Sequence, residues 1–98
     1  MEVPVEIQEF LKALASETRQ KILFLFIDGQ ERTVGQVAKE AGLGLSTASE
    51  HLVVLRKSGL MTARRAAKEV YYIPDRVKIV ALLRSLTEIL SCCLPPSQ

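Results

Sequence analysis

A mainly α-helical domain with one small β-hairpin is what this sequence predicts, and three observations carry it. Apolar residues recur at helical spacing in five separate stretches. Between the third and fourth lies a short break, Gly42-Leu43-Gly44, of the kind that joins two helices as a helix-turn-helix. After Gly59 the pattern shifts to two β-prone runs, and helical spacing resumes beyond Pro74-Asp75. At 98 residues the chain makes one domain with a modest core, to which symmetric association would add.

The elements follow in order. A first helix is expected from about Val5 to Leu14, with Ile7, Phe10, Leu11 and Leu14 on one face. Ser16 is placed to cap a second helix, with Arg19 where a capping box would carry Glu or Gln. That helix runs to about Ile27 through Ile22, Leu23 and Phe26, and Asp28-Gly29-Gln30 stops it. Thr33 can cap a short third helix, Val34 to Ala41, packed through Val37, Ala38 and Ala41. A fourth helix follows, with Leu45, Ala48, Leu52 and Leu55 as its buried edge and Ser58-Gly59 as its end. Leu60 to Arg65 and Glu69 to Ile73 read as two strands, a wing with Arg64, Arg65 and Lys68 near its tip. The intervening Ala66-Ala67-Lys68 is not a strong hairpin turn, so the register stays open. The last helix opens at Pro74-Asp75. Val77, Val80, Leu83, Leu86 and Leu90 line one side, widened by Ile79, Leu82 and Ile89. That is more apolar surface than a terminal helix of a small monomer should show to water, so a homodimer built on the first and last helices is expected. The order is that of a winged helix-turn-helix. Its helix-turn-helix falls at about 34–58, its wing at about 60–73, and its dimerisation helices at about 5–14 and 75–93.

Composition narrows the function. Five aromatic residues and no Trp argue against a surface that stacks single strands or RNA bases. No apolar run approaches the roughly 20 residues of a membrane span. The start, Met1-Glu2-Val3-Pro4, lacks a secretory signal's basic and apolar segments, so a cytoplasmic chain without a membrane partner is expected. The net charge of +2 conceals an asymmetry: residues 1–50 balance at −3, and residues 69–98 are neutral. Residues 51–68 hold Arg56, Lys57, Arg64, Arg65 and Lys68 and no acid. Positive charge gathered on one segment suits a phosphate backbone, with a merely solvated surface as the plainer reading.

The fourth helix is the most informative element. Ser46, Thr47, Ser49, Glu50 and His51 crowd its first two turns, and short donors and acceptors at a helix N-terminus suit a duplex major groove. Ser46, Thr47 and Ser49 can bond base edges or phosphates, though Ser46 also fits a simple N-cap. Glu50 can accept from a cytosine amino group, or stand solvated or paired with an arginine. His51 can donate or accept, or lie idle on the surface. Arg56, Lys57, Arg64, Arg65 and Lys68 would neutralise phosphates and make affinity salt-dependent. The expected partner is double-stranded operator DNA, bound by a dimer whose two reading helices sit roughly 34 Å apart.

Three segments carry a resemblance. Leu14-Ala15-Ser16-Glu17-Thr18-Arg19 with Ile22-Leu23, then Ser46 through Leu60, then Val70-Tyr71-Tyr72-Ile73 resemble the ArsR/SmtB family of bacterial winged-helix repressors. The likeness covers nearly the whole chain. It implies a homodimeric repressor released from its operator by an inducer, with wings flanking the reading helices. It also implies that Arg64, Arg65 and Lys68 reach the adjacent groove.

The sequence departs from the two metal sites common in that family. The third helix, Thr33-Val34-Gly35-Gln36-Val37-Ala38-Lys39, has no thiol, and the last helix offers Asp75 and Glu88 but no His. Zinc prefers four ligands including His or Cys, so neither site suits it. Cys92-Cys93 remain, the only thiols in the chain. Neighbouring Cα atoms are about 3.8 Å apart, shorter than the roughly 4.4–6.8 Å of ordinary disulfides, so two free thiols are expected. Such a pair suits one thiophilic centre. Some members of the family that sense arsenic carry a vicinal Cys pair here, often with a third Cys that this chain lacks. The resemblance therefore implies trivalent arsenic or antimony as inducer, as an organoarsenical or a hydroxide-bearing arsenite. Sensing of thiol redox state or sulfur species, a pair of inert thiols, and an interaction module without an operator stand as alternatives. No cofactor is required. Catalysis is not expected: there is no acid pair, phosphate loop or cofactor box, and a nucleophilic thiol would need Cys92 or Cys93 beside His51.

Overall fold

The computed structural model describes residues 2–92. Local chemistry sets most of its boundaries. Helix α1 (Val5–Leu14) starts behind Pro4, whose carbonyl accepts from the Ile7 and Gln8 N–H groups at 3.0 Å. Helix α2 (Glu17–Leu25) is capped by Ser16, whose Oγ accepts from the Arg19 N–H at 3.2 Å. It ends two residues earlier than expected, tightening into a 3-10 turn, Phe26–Asp28, that closes on Gly29. Helix α3 (Val34–Ala41) begins in a full capping box. Thr33 Oγ1 accepts from the Gln36 N–H at 3.2 Å, and Gln36 Oε1 accepts from the Thr33 N–H at 2.8 Å.

Two glycines then shape the reading helix. Gly42 adopts φ +67°, and the next N–H, from Leu43, turns back to the Ala38 carbonyl at 2.9 Å. Helix α4 (Leu45–Lys57) ends at Gly59, φ +86°, with the Leu60 N–H on the Leu55 carbonyl at 2.9 Å. The left-handed φ favours glycine at Gly59, and a Cβ there would stand 3.1 Å from the Lys78 side chain, which would have to shift slightly. Helix α5 (Arg76–Cys92) is capped by Asp75, whose Oδ1 accepts from the Lys78 N–H at 3.0 Å. The Asp75 N–H donates to the Leu60 carbonyl at 3.0 Å, which ties the start of α5 to the exit of α4.

The wing has three strands where a two-stranded hairpin is expected from sequence. Strand β1 (Arg32–Thr33) pairs with β3 (Glu69–Pro74), which pairs with β2 (Met61–Ala66), all antiparallel, in the order β1-β3-β2. The added strand is two residues long, and it exists because Arg32 and Thr33 find Tyr72 and Tyr71 opposite them. The hairpin closes with Ala66 opposite Glu69. Its turn puts Ala67 at φ 55°, the one non-glycine in the left-handed region among the described residues. A two-residue hairpin turn needs positive φ, and here alanine supplies it at some cost.

The core collects Ile7 and Phe10 from α1, Ile22 from α2, Val37 from α3, Leu52 and Leu55 from α4, and Leu60, Met61 and Tyr72 from the wing. Three expectations about burial are corrected. Leu11 faces water, and Ala13 takes its place in the core face of α1. Leu45 is 62% exposed: at the first position of α4 it overshoots the edge of the core that Ala48 begins. Helix α5 carries two apolar stripes rather than one broad face. Leu82 is buried and Ile79, Leu86 and Ile89 pack beside it, whereas Val77, Val80, Leu83 and Leu90 face outward. Among the described residues no helix is long and apolar enough to cross a membrane.

Candidate nucleic-acid interface

Helix α4 is buried through Ala48, Leu52 and Leu55, all at 0% exposure. Opposite them, at helical spacing, Ser46, Glu50 and Lys57 form an exposed stripe. Thr47 is exposed on one flank; Arg56 is exposed on the other, with Ser49 half-buried beside it. Ser46 is not the N-cap. Gly44 holds that position, without a side chain to bond, and Ser46 lies inside the first turn. Its hydroxyl is therefore not committed to starting the helix. Leu45, Ser46 and Ser49 line an open groove with Val34 and Gly35 of α3 and Glu69 of the wing. The N-termini of both helices thus open onto one concave surface beside the hairpin.

His51 departs from this stripe. It is half-buried, and its Nδ1 faces the Arg19 guanidinium at 3.2 Å. Arginine can only donate, so Nδ1 accepts, and a neutral ring carries its proton on Nε2. Arg19 also donates to the Ala13 carbonyl at 2.8 Å and to the Lys12 carbonyl at 3.3 Å. One side chain therefore stitches the end of α1 and the start of α2 to the reading helix. Nothing local in the sequence marks that role, since the two partners are 32 positions apart.

The five basic residues differ in their surroundings. Strand residues alternate between faces, so Arg64 and Arg65 project to opposite sides of β2. Arg56 and Arg65 border a groove with Ala63, Arg64, Val70 and Tyr72, between the end of α4 and the hairpin. Lys57 is exposed at the end of α4, and Lys68 is exposed at the hairpin turn. Arg64 is engaged by the protein itself. Its Nε donates to Glu31 Oε2 at 2.9 Å, its second nitrogen donates to Glu31 Oε1, and its guanidinium lies 4.7 Å from the centre of the Tyr71 ring. This hydrogen bonding holds the Glu31 carboxyl below its ordinary range and raises Arg64 above its own. Glu31 is a surface acid that sequence reasoning did not connect with the wing. Period-2 alternation alone was enough to separate Arg64 from Arg65.

A second arginine cluster is purely structural. Arg32 donates to Asp28 at 2.8 and 3.0 Å and to Glu40 at 2.9 Å, and stacks over Phe26. It joins the 3-10 turn, β1 and α3, and its hydrogen bonds lower the Asp28 pKa from 3.8 to about 2.

Cys92, the last residue of α5, is exposed and carries a free thiol. Cys93 lies outside the described residues. Among the described residues no three His, Cys, Asp or Glu side chains gather to hold a metal ion. On the outward side of α5, Val80 and Leu83 border a shallow apolar depression with Arg84, Thr87 and Glu88.

Comparison with known proteins agrees with this geometry. Residues 16–63 match the model of the bacterial regulatory protein family named for arsR. The chain is 36% identical to the transcriptional activator HlyU of Vibrio cholerae over 78% of its own length and 69% of that protein's. It is 32% identical to the biofilm growth-associated repressor of Xylella fastidiosa, over 86% and 73% of the two chains. Its structure resembles the homodimeric winged helix-turn-helix DNA-binding domain of a possible ArsR-family regulator from Mycobacterium bovis. That match has a TM-score of 0.71 and 31% identity, and covers 92% of this chain and 82% of that one.

Proposed function

Because the chain belongs to the ArsR family of bacterial regulatory proteins, and is with it a DNA-binding transcriptional regulator, we propose that it works as a homodimeric repressor whose α4 enters the major groove of an operator. The observation that carries this reading is the exposed stripe of Ser46, Glu50 and Lys57, opposite a fully buried Leu52 and beside the groove of Arg56 and Arg65. Ser46, Thr47, Ser49 and Glu50 then meet base edges or nearby phosphates, and His51 contributes from the flank through its Nε2–H. Arg56, Lys57, Arg65 and Lys68 contact phosphates. The outward stripe of α5, Val77, Val80, Leu83 and Leu90, joins the partner protomer and fixes the spacing of two α4 helices. Binding measured by fluorescence anisotropy on upstream and random duplexes, across a salt series, tests the reading. Sequence preference with a steep salt slope supports it; binding with neither rules it out.

The inducer site falls at Cys92 and Cys93. The exposed position of Cys92 at the end of α5 supports an accessible soft donor on the proposed dimer helix. Two sulfurs suit trivalent arsenic or antimony and leave one valence for hydroxide or a carbon substituent. An inducer that binds the DNA-incompetent dimer more tightly lowers operator occupancy by linkage. Titrating arsenite and a trivalent organoarsenical into the operator complex tests this. Release should be lost in Cys92→Ser, Cys93→Ser, and equal release from the double variant would place sensing elsewhere.

A further inference from the structure

The wing carries two adjacent arginines in contrasting states, and the difference bears on how strongly the protein holds the DNA backbone. Both border the groove that also holds Arg56, but among the described residues no carboxylate lies within ion-pair distance of Arg65. Arg64 is bound on one edge and one face. The Glu31 carboxylate takes two of its N–H groups, and the Tyr71 ring backs the guanidinium plane. Glu31 comes from the turn ahead of β1, 33 positions away, so the arrangement depends on the third strand that aligns Thr33 with Tyr71 and Tyr71 with Arg64.

We propose that Glu31 withholds Arg64 from the DNA backbone and so limits how strongly the wing binds duplexes regardless of sequence. The proposal rests on the operator-binding reading above. A bidentate carboxylate occupies the same two-pronged edge that a phosphate would take. Exchanging one for the other strands the Glu31 charge next to the polyanion, so the exchange gains little. Arg64 then releases few counterions on binding, whereas Arg65 releases its full share. Phosphate contacts carry no sequence information, so one fewer per protomer lowers affinity for operator and random duplexes alike and makes it less salt-dependent. Glu31 thus sets how strongly the wing holds the DNA backbone without itself touching a base.

The test compares wild-type protein with Glu31→Gln, Arg64→Ala, Arg65→Ala and the Glu31→Gln, Arg64→Ala double variant. Anisotropy is read on operator and random duplexes over a salt series, with thermal melting as the check on folding. The slope of log K against log salt in Arg64→Ala should equal that of wild type. In Arg65→Ala it should be shallower by about 0.9 per protomer, and in Glu31→Gln steeper by about the same amount. Affinity for operator and random duplexes should rise by similar factors in Glu31→Gln, and the double variant should return to the wild-type slope. An Arg64→Ala slope as shallow as that of Arg65→Ala would make Arg64 a phosphate ligand and overturn the proposal. So would a Glu31→Gln that melts lower with its slope unchanged, which is the signature of a structural clamp alone. Wild-type protein that shows no salt-dependent DNA binding would remove the operator reading, and this proposal with it, before any variant is compared.

Discussion

Helices α4 and α5 are built alike and finished differently. Each buries one stripe in the same core, through Leu52 and Leu55 in α4 and through Leu82 in α5. Each leaves the opposite stripe bare. On α4 that stripe carries Ser46, Glu50 and Lys57, groups that water already satisfies and that a polar, charged partner can take over, with Val53 and Val54 beside them. On α5 it is Val77, Val80, Leu83 and Leu90, of which Val77 is 82% exposed. Water does not satisfy these; covering them releases about 25 cal/mol for each Å² buried. The same amphipathic design therefore yields two kinds of surface, one suited to reversible contact with a polyanion and the other to lasting contact with apolar side chains.

The comparison can be broken at several points. The largest effect is expected where the two helices are alike. Leu52→Ala should lower unfolding stability by about 2–5 kcal/mol in urea titrations, because it empties a fully buried site between α4 and the rest of the core. The next concerns the apolar stripe. Val80→Asp with Leu83→Asp should leave the fold intact by circular dichroism and weaken self-association on the order of 100-fold in sedimentation equilibrium, since two charges would enter a desolvated interface. The polar stripe should behave in the opposite way. Glu50→Gln should leave self-association unchanged and alter base preference at one position of each half-site by about 1–3 kcal/mol, read from binding to single-base operator variants. The smallest effect lies at neither surface. The Asp28 pKa is depressed to about 2, so its pairing with Arg32 stabilises the fold above pH 4 and is lost as pH falls through 2. Asp28→Asn should be less stable than wild type near pH 6, with the difference shrinking toward zero by pH 2 in denaturant titrations.

What could be read from the sequence was what is local. Ser16 and Thr33 sit three residues before the N–H groups they accept from, so caps and helix starts were visible in the chain order. The i, i+4, i+7 pattern of α4 found Ala48, Leu52 and Leu55, but it could not tell that Leu45 lies past the edge of the core. That depends on where α3 ends. β1 was invisible because two residues have no periodicity; Arg32 and Thr33 become a strand only when Tyr71 and Tyr72 lie beside them. The candidate interface divided in the same way. The serines and Glu50 fall where the helical pattern put them, on the exposed side of α4 or its flank. His51 and Arg64 do not stand free because Arg19 and Glu31, 32 and 33 positions away, hold them. Charge read along a chain records the sign of each group and is silent about the partner that neutralises it.

The account stands or falls on whether the polar stripe of α4, presented twice by a dimer, reads a duplex. Enrichment of bound sequences from a random duplex pool is the direct measurement. The expected outcome is an inverted repeat whose half-sites are centred one helical turn apart, about 10–10.5 base pairs, or a multiple of it. Repeating the enrichment with Glu50→Gln should change one position symmetrically in both halves. A pool that stays random, or a motif without two-fold symmetry that Glu50→Gln leaves untouched, would contradict it.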